Sequence, residues 1–319
     1  MTNVDVVLIG RNEGARLVAS LQSAQGQARQ LVYVDSGSTD DSIDEARKAG
    51  AQIVELDMST PFSAARARNA GFDALDNPEL VMFIDGDCML VEGFLDKACA
   101  HLDANPKIAL VTGWRSEIHR NESLYNQLID WEWRRPAGVI LACGGDMLVR
   151  ASAWREIGGM DPTVIASEDE EFCTRLRKAG WTLERIPQEM TRHDANMMTF
   201  EQWWSRAVRT GHGFAQVGSL HPEYFAAERK RALLYGLALP VLILLSALIK
   251  WWLPLIFFGL YELSYIRTAI GLSRAGMANN EIWRHAWLLT LSKFPNALGM
   301  ARFHFRRLRG DEMRIIEYK

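Results

Sequence analysis

Carboxylates in short, rigid settings are the residues of this chain best suited to chemistry. Asp85-Gly86-Asp87 follows the apolar run Leu80–Ile84. Carboxylates two apart on an extended chain point to the same side, and Gly86 lets the backbone turn tightly. Two such oxygens can hold a hard divalent cation whose other positions stay open for phosphate and water. The same three residues also make an ordinary Asp-Gly turn, and both readings stand on the spacing alone. The second setting is Ser167-Glu168-Asp169-Glu170-Glu171. Ser167 with Glu170 predicts a capping box, and acids in a first helical turn suit the helix dipole. A helix start of this kind would also keep a catalytic base ionised and in place, so capping and catalysis are compatible.

Other chemistries are disfavoured. The loop Gly10-Arg11-Asn12-Glu13-Gly14 lacks the G-x-G-x-x-G triplet of a dinucleotide fold, although Asp35 stands where that fold's acid would be. There is no G-x-x-x-x-G-K-[ST] loop and no G-x-S-x-G elbow. Cys88, Cys99, Cys143 and Cys173 form no C-x-x-C pair, which speaks against zinc or a disulfide framework and fits a reducing cytoplasm.

Strands and helices must hold the two acidic clusters. Val4–Ile9, Leu31–Val34, Gln52–Leu56 and Leu80–Ile84 read as strands, alternating with helical patterns over Gly14–Ala24, Ser42–Ala49 and Phe62–Ala74. That alternation predicts a parallel α/β sheet, with ligands beyond the carboxyl ends of the strands, where Asp35–Asp40 and Asp85–Asp87 fall. The next stretch reads as mixed. Strands are expected over Ile108–Thr112, Val139–Leu141, Met147–Val149 and Trp181–Ile186, and helices over Leu124–Trp133, Glu168–Ala179 and Thr199–Gln216.

Charge is unevenly distributed. Residues 1–231 carry 25 basic and 34 acidic side chains, and residues 267–319 carry 10 and 4. Between them, Ala232–Ile266 has only Lys250 and Glu262 charged. A net charge of −3 argues against a general polyanion binder, so no nucleic-acid partner is expected. The first residues enter a strand pattern with no basic and apolar leader, so no secretory signal is expected. Ala232–Ile249 and Trp251–Ile266 are long enough for a hairpin in the membrane, with Lys250, Trp251, Trp252 and Pro254 at the turn. Arg229-Lys230-Arg231 before it, and Arg267 and Arg274 after it, place both ends in the cytoplasm. A monotopic pair dipping into one leaflet is the alternative. The segment Ile282–Met300, interrupted by Arg284, His285 and Lys293, is expected to lie on the membrane surface with the basic tail from Arg302.

An ordered set of motifs carries a resemblance. Val6–Glu13, Val34–Asp40, Ala67-Arg68-Asn69-Ala70-Gly71, Phe83–Asp87, Gly144-Gly145-Asp146-Met147, Gly158-Gly159-Met160-Asp161 and Glu168-Asp169 with Arg175-Leu176 resemble, in order, a family-2 glycosyltransferase of the GT-A fold. The similarity covers roughly residues 3–215. It implies inverting transfer of a sugar from a nucleotide-diphosphate sugar, a UDP-sugar in preference to a GDP-sugar. By resemblance Asp35 bonds the base, with Arg11 and Glu13 beside the nucleoside and Arg68 near the diphosphate. Asp85 faces the ribose or donor sugar, Asp87 ligates Mg²⁺ or Mn²⁺, and His193 is a further metal ligand. Gly145 and Asp146 belong to the acceptor side. Asp169 matches the general base, with Glu168 beside it. Two departures touch base recognition: Ile9-Gly10-Arg11 stands where the family commonly has Pro-Thr-Tyr, and Ser36 where it has a second Asp. The Q-x-x-R-W signature of processive members is replaced by Gln202-Trp203-Trp204-Ser205-Arg206, which favours single-sugar transfer. A basic amphipathic helix at the membrane surface is an equal reading of that stretch.

The expected architecture is therefore a Rossmann-like GT-A domain over 1–228, a membrane-embedded hairpin over 229–270 and a basic amphipathic segment over 271–319. The expected activity is that of a hexosyltransferase-type enzyme at the cytoplasmic face of the inner membrane. Its acceptor would be lipid-linked or a glycan, in exopolysaccharide or glycolipid synthesis. A nucleotidyltransferase on a similar scaffold would show a glycine-rich basic loop after the first strand, which Arg11-Asn12-Glu13 matches poorly. A non-catalytic membrane scaffold is the remaining alternative, and the presence of both Asp87 and Asp169 argues against it.

Overall fold

The computed structural model describes residues 3–317, in two compact units. The first comprises residues 3–121 and 129–196; the second comprises 122–128 and the residues from 197 onward. The sequence places a boundary after residue 228, whereas the structure divides the chain after Asn196.

The first unit opens with β1 (Val4–Gly10), α1 (Ala15–Ala24), β2 (Leu31–Asp35), α2 (Ser42–Lys48), β3 (Gln52–Glu55), α3 (Ala64–Asp73) and β4 (Leu80–Asp85). These strands pair in parallel in the order β3-β2-β1-β4. Alternation splits β1 and β4 between two cores. Val7, Ile9, Val81 and Phe83 pack on one face with Phe72, Trp154 and Phe172, and Val6, Leu8, Met82 and Ile84 on the other with Leu17, Leu21 and Phe94. Burial on both faces explains why these strands read as apolar runs, interrupted in β1 only by Asp5, which is buried and paired with Arg29.

The sheet then becomes mixed. Next come β5 (Cys88–Leu90), α4 (Phe94–Ala104), β6 (Ile108–Glu117), α5 (Leu124–Trp133, whose first residues fall in the second unit), β7 (Gly138–Val139) and β8 (Met147–Arg150). They are followed by α6 (Ala151–Glu156), α7 (Glu168–Lys178) and β9 (Thr182–His193). β8 is antiparallel to β4 and β6, β6 and β9 are parallel, and β5 and β7 both pair antiparallel with β9. β6 and β9 run well past the expected ends at Thr112 and Ile186, and carry Arg115, Glu117 and His193 on the added length.

The second unit is helical: α8 (Phe200–Leu220), α9 (Ala226–Leu233), α10 (Leu239–Ile249), α11 (Leu253–Arg274), α12 (Asn279–Leu291) and α13 (Lys293–Arg309). α8 starts with a complete capping box from Thr199 and Gln202. α8 and α13 pack on one another: Trp203, Val208, Gly211 and His212 of α8 and Asn296, Gly299, Met300 and Phe303 of α13 are buried. The two helices touch backbone to backbone. A Cβ on Gly211 would lie 2.1 Å from the Asn296 carbonyl oxygen, and one on Gly299 would lie 2.0 Å from that of Val208.

Ala226–Ile249 and Leu253–Arg274 are both long and apolar enough to cross a membrane, and are mostly unburied within the molecule. Pro240 does not break the first. A π-helical turn over Leu234–Ala238 precedes it, closed by the Leu239 N–H donating to the Leu234 carbonyl. Continuing that pattern, the Tyr235 carbonyl would accept from residue 240, and proline has no N–H to offer. The Tyr261 hydroxyl of α11 donates to the Tyr235 carbonyl instead.

Candidate active site

The site lies in the first unit, at the carboxyl ends of β1, β2 and β4, where backbone groups run out of sheet partners. At the ends of β1 and β2 the structure gathers Arg11, Glu13 and Asp35. Asp35 is buried and accepts the Gly37 and Ser38 N–H groups at 2.9 and 2.8 Å and the Tyr33 hydroxyl at 3.1 Å. Burial, with the Asp35 carboxylate next, pushes the Tyr33 pKa far up, so its hydroxyl stays a donor. Arg11 Nε donates to the Gly37 carbonyl, and its guanidinium lies 4.8 Å from the centre of the Phe62 ring. Glu13 pairs with Arg16 at 2.9 Å. Asp35 thus shapes the loop after β2 while remaining at its floor.

Arg68 is the hinge of the arrangement. Its buried guanidinium joins Asp85 at 2.7 Å, at the end of β4, to Glu168 at 2.8 Å, at the start of α7. Both carboxylates raise its pKa against the lowering effect of burial, so it stays charged. Its two terminal nitrogens are engaged by these two carboxylates, which it holds together.

Asp146 has no exposed surface. Its carboxylate accepts the Asp85 N–H at 3.2 Å and the Thr191 hydroxyl at 2.6 Å, and pairs with Arg115 at 2.6 Å. It therefore braces β4, β6 and β9 from beneath. Gly145, at φ +101°, passes above. A Cβ there would lie 3.3–3.6 Å from Arg68, Asp85 and Arg115, so a side chain would crowd the floor of the site.

The base-side helix corrects the capping expectation. Ser167 adopts φ 59°, ψ 35° and makes no side-chain cap. A left-handed serine is uncommon, and its side chain is turned from the N–H groups it was expected to accept. Asp169 accepts the Gly144 N–H at 2.9 Å and is half-buried. Burial, then the neighbouring Glu168 charge, pushes its pKa up to about 6, while Arg68 opposes the shift. A base poised there is ionised at neutral pH yet still basic enough to take a proton.

Asp87 and His193 also meet. His193 Nε2 lies 3.4 Å from Asp87 Oδ1, within the span two ligands bridge when each sits about 2.1 Å from one ion. His193 Nδ1 is buried without a hydrogen bond, 3.5 Å from Glu117 Oε2, the outer carboxylate that commonly orients a ligating imidazole. Cys88 lies beside them, but burial, then the Asp146 charge, pushes its thiol pKa up, so it stays protonated and ligates poorly. One imidazole and one carboxylate suit Mn²⁺ better than Mg²⁺, which prefers an all-oxygen shell.

Arg115, Glu117 and Thr191 were absent from the sequence reading. Alternation of charged residues beyond Thr112 was the available signal, since Arg115 and Glu117 share one side of an extended strand.

A family model described as "Glycosyltransferase like family 2" matches residues 14–216. The pre-mycofactocin glycosyltransferase of Mycobacterium tuberculosis is 28% identical over 283 residues, covering 84% of this chain and 56% of the relative. The O-antigen chain rhamnosyltransferase WbaN of Salmonella anatum is 24% identical over 209 residues, covering 60% of this chain and 64% of the relative. The chain thus spans little more than half the length of the first of these relatives. Among solved structures, the mannosyltransferase PcManGT of Pyrobaculum calidifontis, in complex with GDP-Man and Mn²⁺, aligns with TM-score 0.63 at 17% identity, covering 96% of this chain and 88% of that one. GalNAc-T7 with UDP, GalNAc and Mn²⁺ aligns with TM-score 0.55 at 14% identity, covering 72% and 50%. At these identities the likeness establishes the fold, a GT-A mixed α/β sheet.

Proposed function

The chain belongs to glycosyltransferase family 2, and from that premise we propose that it transfers a single sugar, with inversion, from a nucleotide-diphosphate sugar to a lipid-linked or glycan acceptor. One observation carries this reading: the hydrogen-bonded chain Asp85–Arg68–Glu168 ties the strand end bearing Asp87 to the helix start bearing Asp169. A group that receives negative charge and a group that removes a proton are thereby held in one rigid frame.

In this reading Asp169 takes the proton of the acceptor hydroxyl as the oxygen attacks the anomeric carbon. No protein nucleophile is needed for a single displacement. Asp87 and His193 would hold a divalent cation, Mn²⁺ in preference to Mg²⁺, which supplies Lewis-acid stabilisation of the leaving diphosphate. Glu117 orients the His193 ring. Arg11, Glu13 and Asp35 line the nucleoside side, and a UDP-sugar is the favoured donor with a GDP-sugar the alternative. The PcManGT neighbour is described with GDP-Man and the GalNAc-T7 neighbour with UDP, which supports keeping both.

The two apolar helices support attachment to the cytoplasmic membrane as a hairpin. Leu244, Leu248, Ile249 and Trp251 expose more than half of their surface, a patch that water does not tolerate well. With both basic flanks in the cytoplasm, transfer takes place on that face and favours a lipid-linked acceptor of surface-glycan synthesis. Release of nucleoside diphosphate across a panel of nucleotide sugars, with and without Mn²⁺ and acceptor extracts, tests the proposal. Turnover of one sugar that requires metal and is accelerated by acceptor is expected; no turnover of any sugar would overturn it.

A further inference from the structure

Beside the candidate active site, in the same unit, is a cavity of about 310 Å³ lined by Trp114, Arg115, Trp133, Arg134 and Arg135. No carboxylate is among its lining residues. Trp114 is 39% exposed, and its indole N–H donates to the Arg135 carbonyl at 3.0 Å, which fixes one ring at the rim. Trp133 forms a second wall, with the Arg115 guanidinium 5.2 Å from its ring centre. Arg115 continues inward to Asp146, and the Trp133 ring stands edge-on to His193 at 4.7 Å. The cavity therefore adjoins the reaction centre.

Its charge is only partly balanced. Arg134 pairs with Asp130 at 2.7 Å and Arg115 with Asp146, but Arg135 forms no ion pair among the described residues. Behind it Arg185, nine-tenths buried, donates to the Gly113 and Pro136 carbonyls and meets no carboxylate among the described residues. Burial, with the like charges of Arg135 and Arg115, holds its pKa below the usual guanidinium range. A buried cation left without a counter-ion, behind an exposed one, is a demand for an anion. Two indole rings at the mouth favour a flat apolar face, such as that of a sugar ring.

We propose that this cavity is an acceptor subsite for a sugar bearing a phosphate or diphosphate, with the ring against Trp114 and Trp133 and the anionic group against Arg135. The inference rests on the sugar-transfer reading of the neighbouring site and names the acceptor class for it. A lipid-linked sugar diphosphate and a free sugar phosphate share this chemistry.

The test uses the full chain in detergent micelles, labelled with fluorotryptophan, with the Trp114 and Trp133 resonances assigned by Trp114→Phe and Trp133→Phe. Glucose 1-phosphate should shift both resonances saturably, whereas glucose or inorganic phosphate alone should need at least about tenfold more ligand. Geranyl diphosphoglucose binding more tightly than glucose 1-phosphate assigns the lipid source, and equal binding assigns the soluble one. Arg135→Glu, at an exposed position, should weaken the response about tenfold or more, and Arg135→Lys less, as loss of a charge-assisted contact requires. A response identical in Arg135→Glu, or equal for phosphate alone, would overturn the subsite. Donor turnover by the unsubstituted protein separates the two readings. Turnover without any tryptophan response sinks the subsite alone. A tryptophan response without turnover of any nucleotide sugar sinks the transfer reading and leaves an anion site.

Discussion

In the first unit the buried carboxylates Asp5, Asp146 and Glu168 are paired with arginines, while the second buries a titratable group and neutralises it. Arg68 is wedged between Asp85 and Glu168, Arg115 reaches Asp146, and Arg29 covers Asp5. In the second unit His212 is fully buried with neither ring nitrogen partnered, and burial, with Arg306 and Arg209 nearby, pushes its pKa down to about 4. There cohesion comes from the close approach of α8 and α13 at Gly211 and Gly299. A frame of paired charges fixes carboxylates in orientation, which a reaction centre requires. A frame of touching backbones fixes helices, which an apolar attachment requires.

Four substitutions test that contrast. The largest effect is expected at Asp87. Asp87→Ala should reduce metal-dependent diphosphate release below detection while circular dichroism stays unchanged; full activity of this variant in excess EDTA would remove the metal reading. Arg68→Met should follow. It leaves the buried Glu168 and the partly exposed Asp85 without their cation, and urea unfolding should show a loss of about 3 kcal/mol. An equally stable variant would mean that the Asp85–Arg68–Glu168 chain holds nothing.

Asp169→Asn should cost about 10²-fold in turnover with donor affinity retained, close to 2.7 kcal/mol. Because the Asp169 pKa is pushed up to about 6, kcat/KM should rise as pH passes through 6 and then level. The Asn variant should lack that limb. Linkage sets the sign for stability. A carboxyl whose folded pKa lies above its unfolded value binds extra protons when folded, so its contribution falls as pH rises from about 4 to 6. Asp169→Asn should therefore melt higher than the parent above pH 6, and a lower melting temperature there would contradict the assignment.

The smallest effect tests the other side of the contrast. Gly211→Ala brings a methyl against the Asn296 carbonyl and should cost about 1–3 kcal/mol of overpacking, read as a fall in melting temperature. No change would mean that α8 and α13 do not meet through this glycine.

Strands β1 to β4 were legible because both faces are apolar and acidic loops end them. The ends of β6 and β9 were not, since Arg115, Glu117 and His193 look like loop residues until partners come from distant strands. The Asp87 and Asp169 positions came from resemblance and spacing; that Arg68 would link their neighbours could not be read from residues so far apart in the chain. The pairing of α8 with α13 was hidden for a different reason. Its contact residues are glycines, which sequence patterns score as interruptions rather than as interfaces.

The bond from Tyr261 to the Tyr235 carbonyl has a consequence for the hairpin as a mechanical object. Successive helical residues are about 100° apart around the axis. In the proposed membrane hairpin, turning α11 by one residue would leave both a hydroxyl and the carbonyl that Pro240 abandons facing hydrocarbon, where water cannot replace either partner. The two helices therefore have a detent, one rotational setting separated from its neighbours by two stranded polar groups. A greasy pair held only by side-chain packing would swivel, whereas this one is indexed.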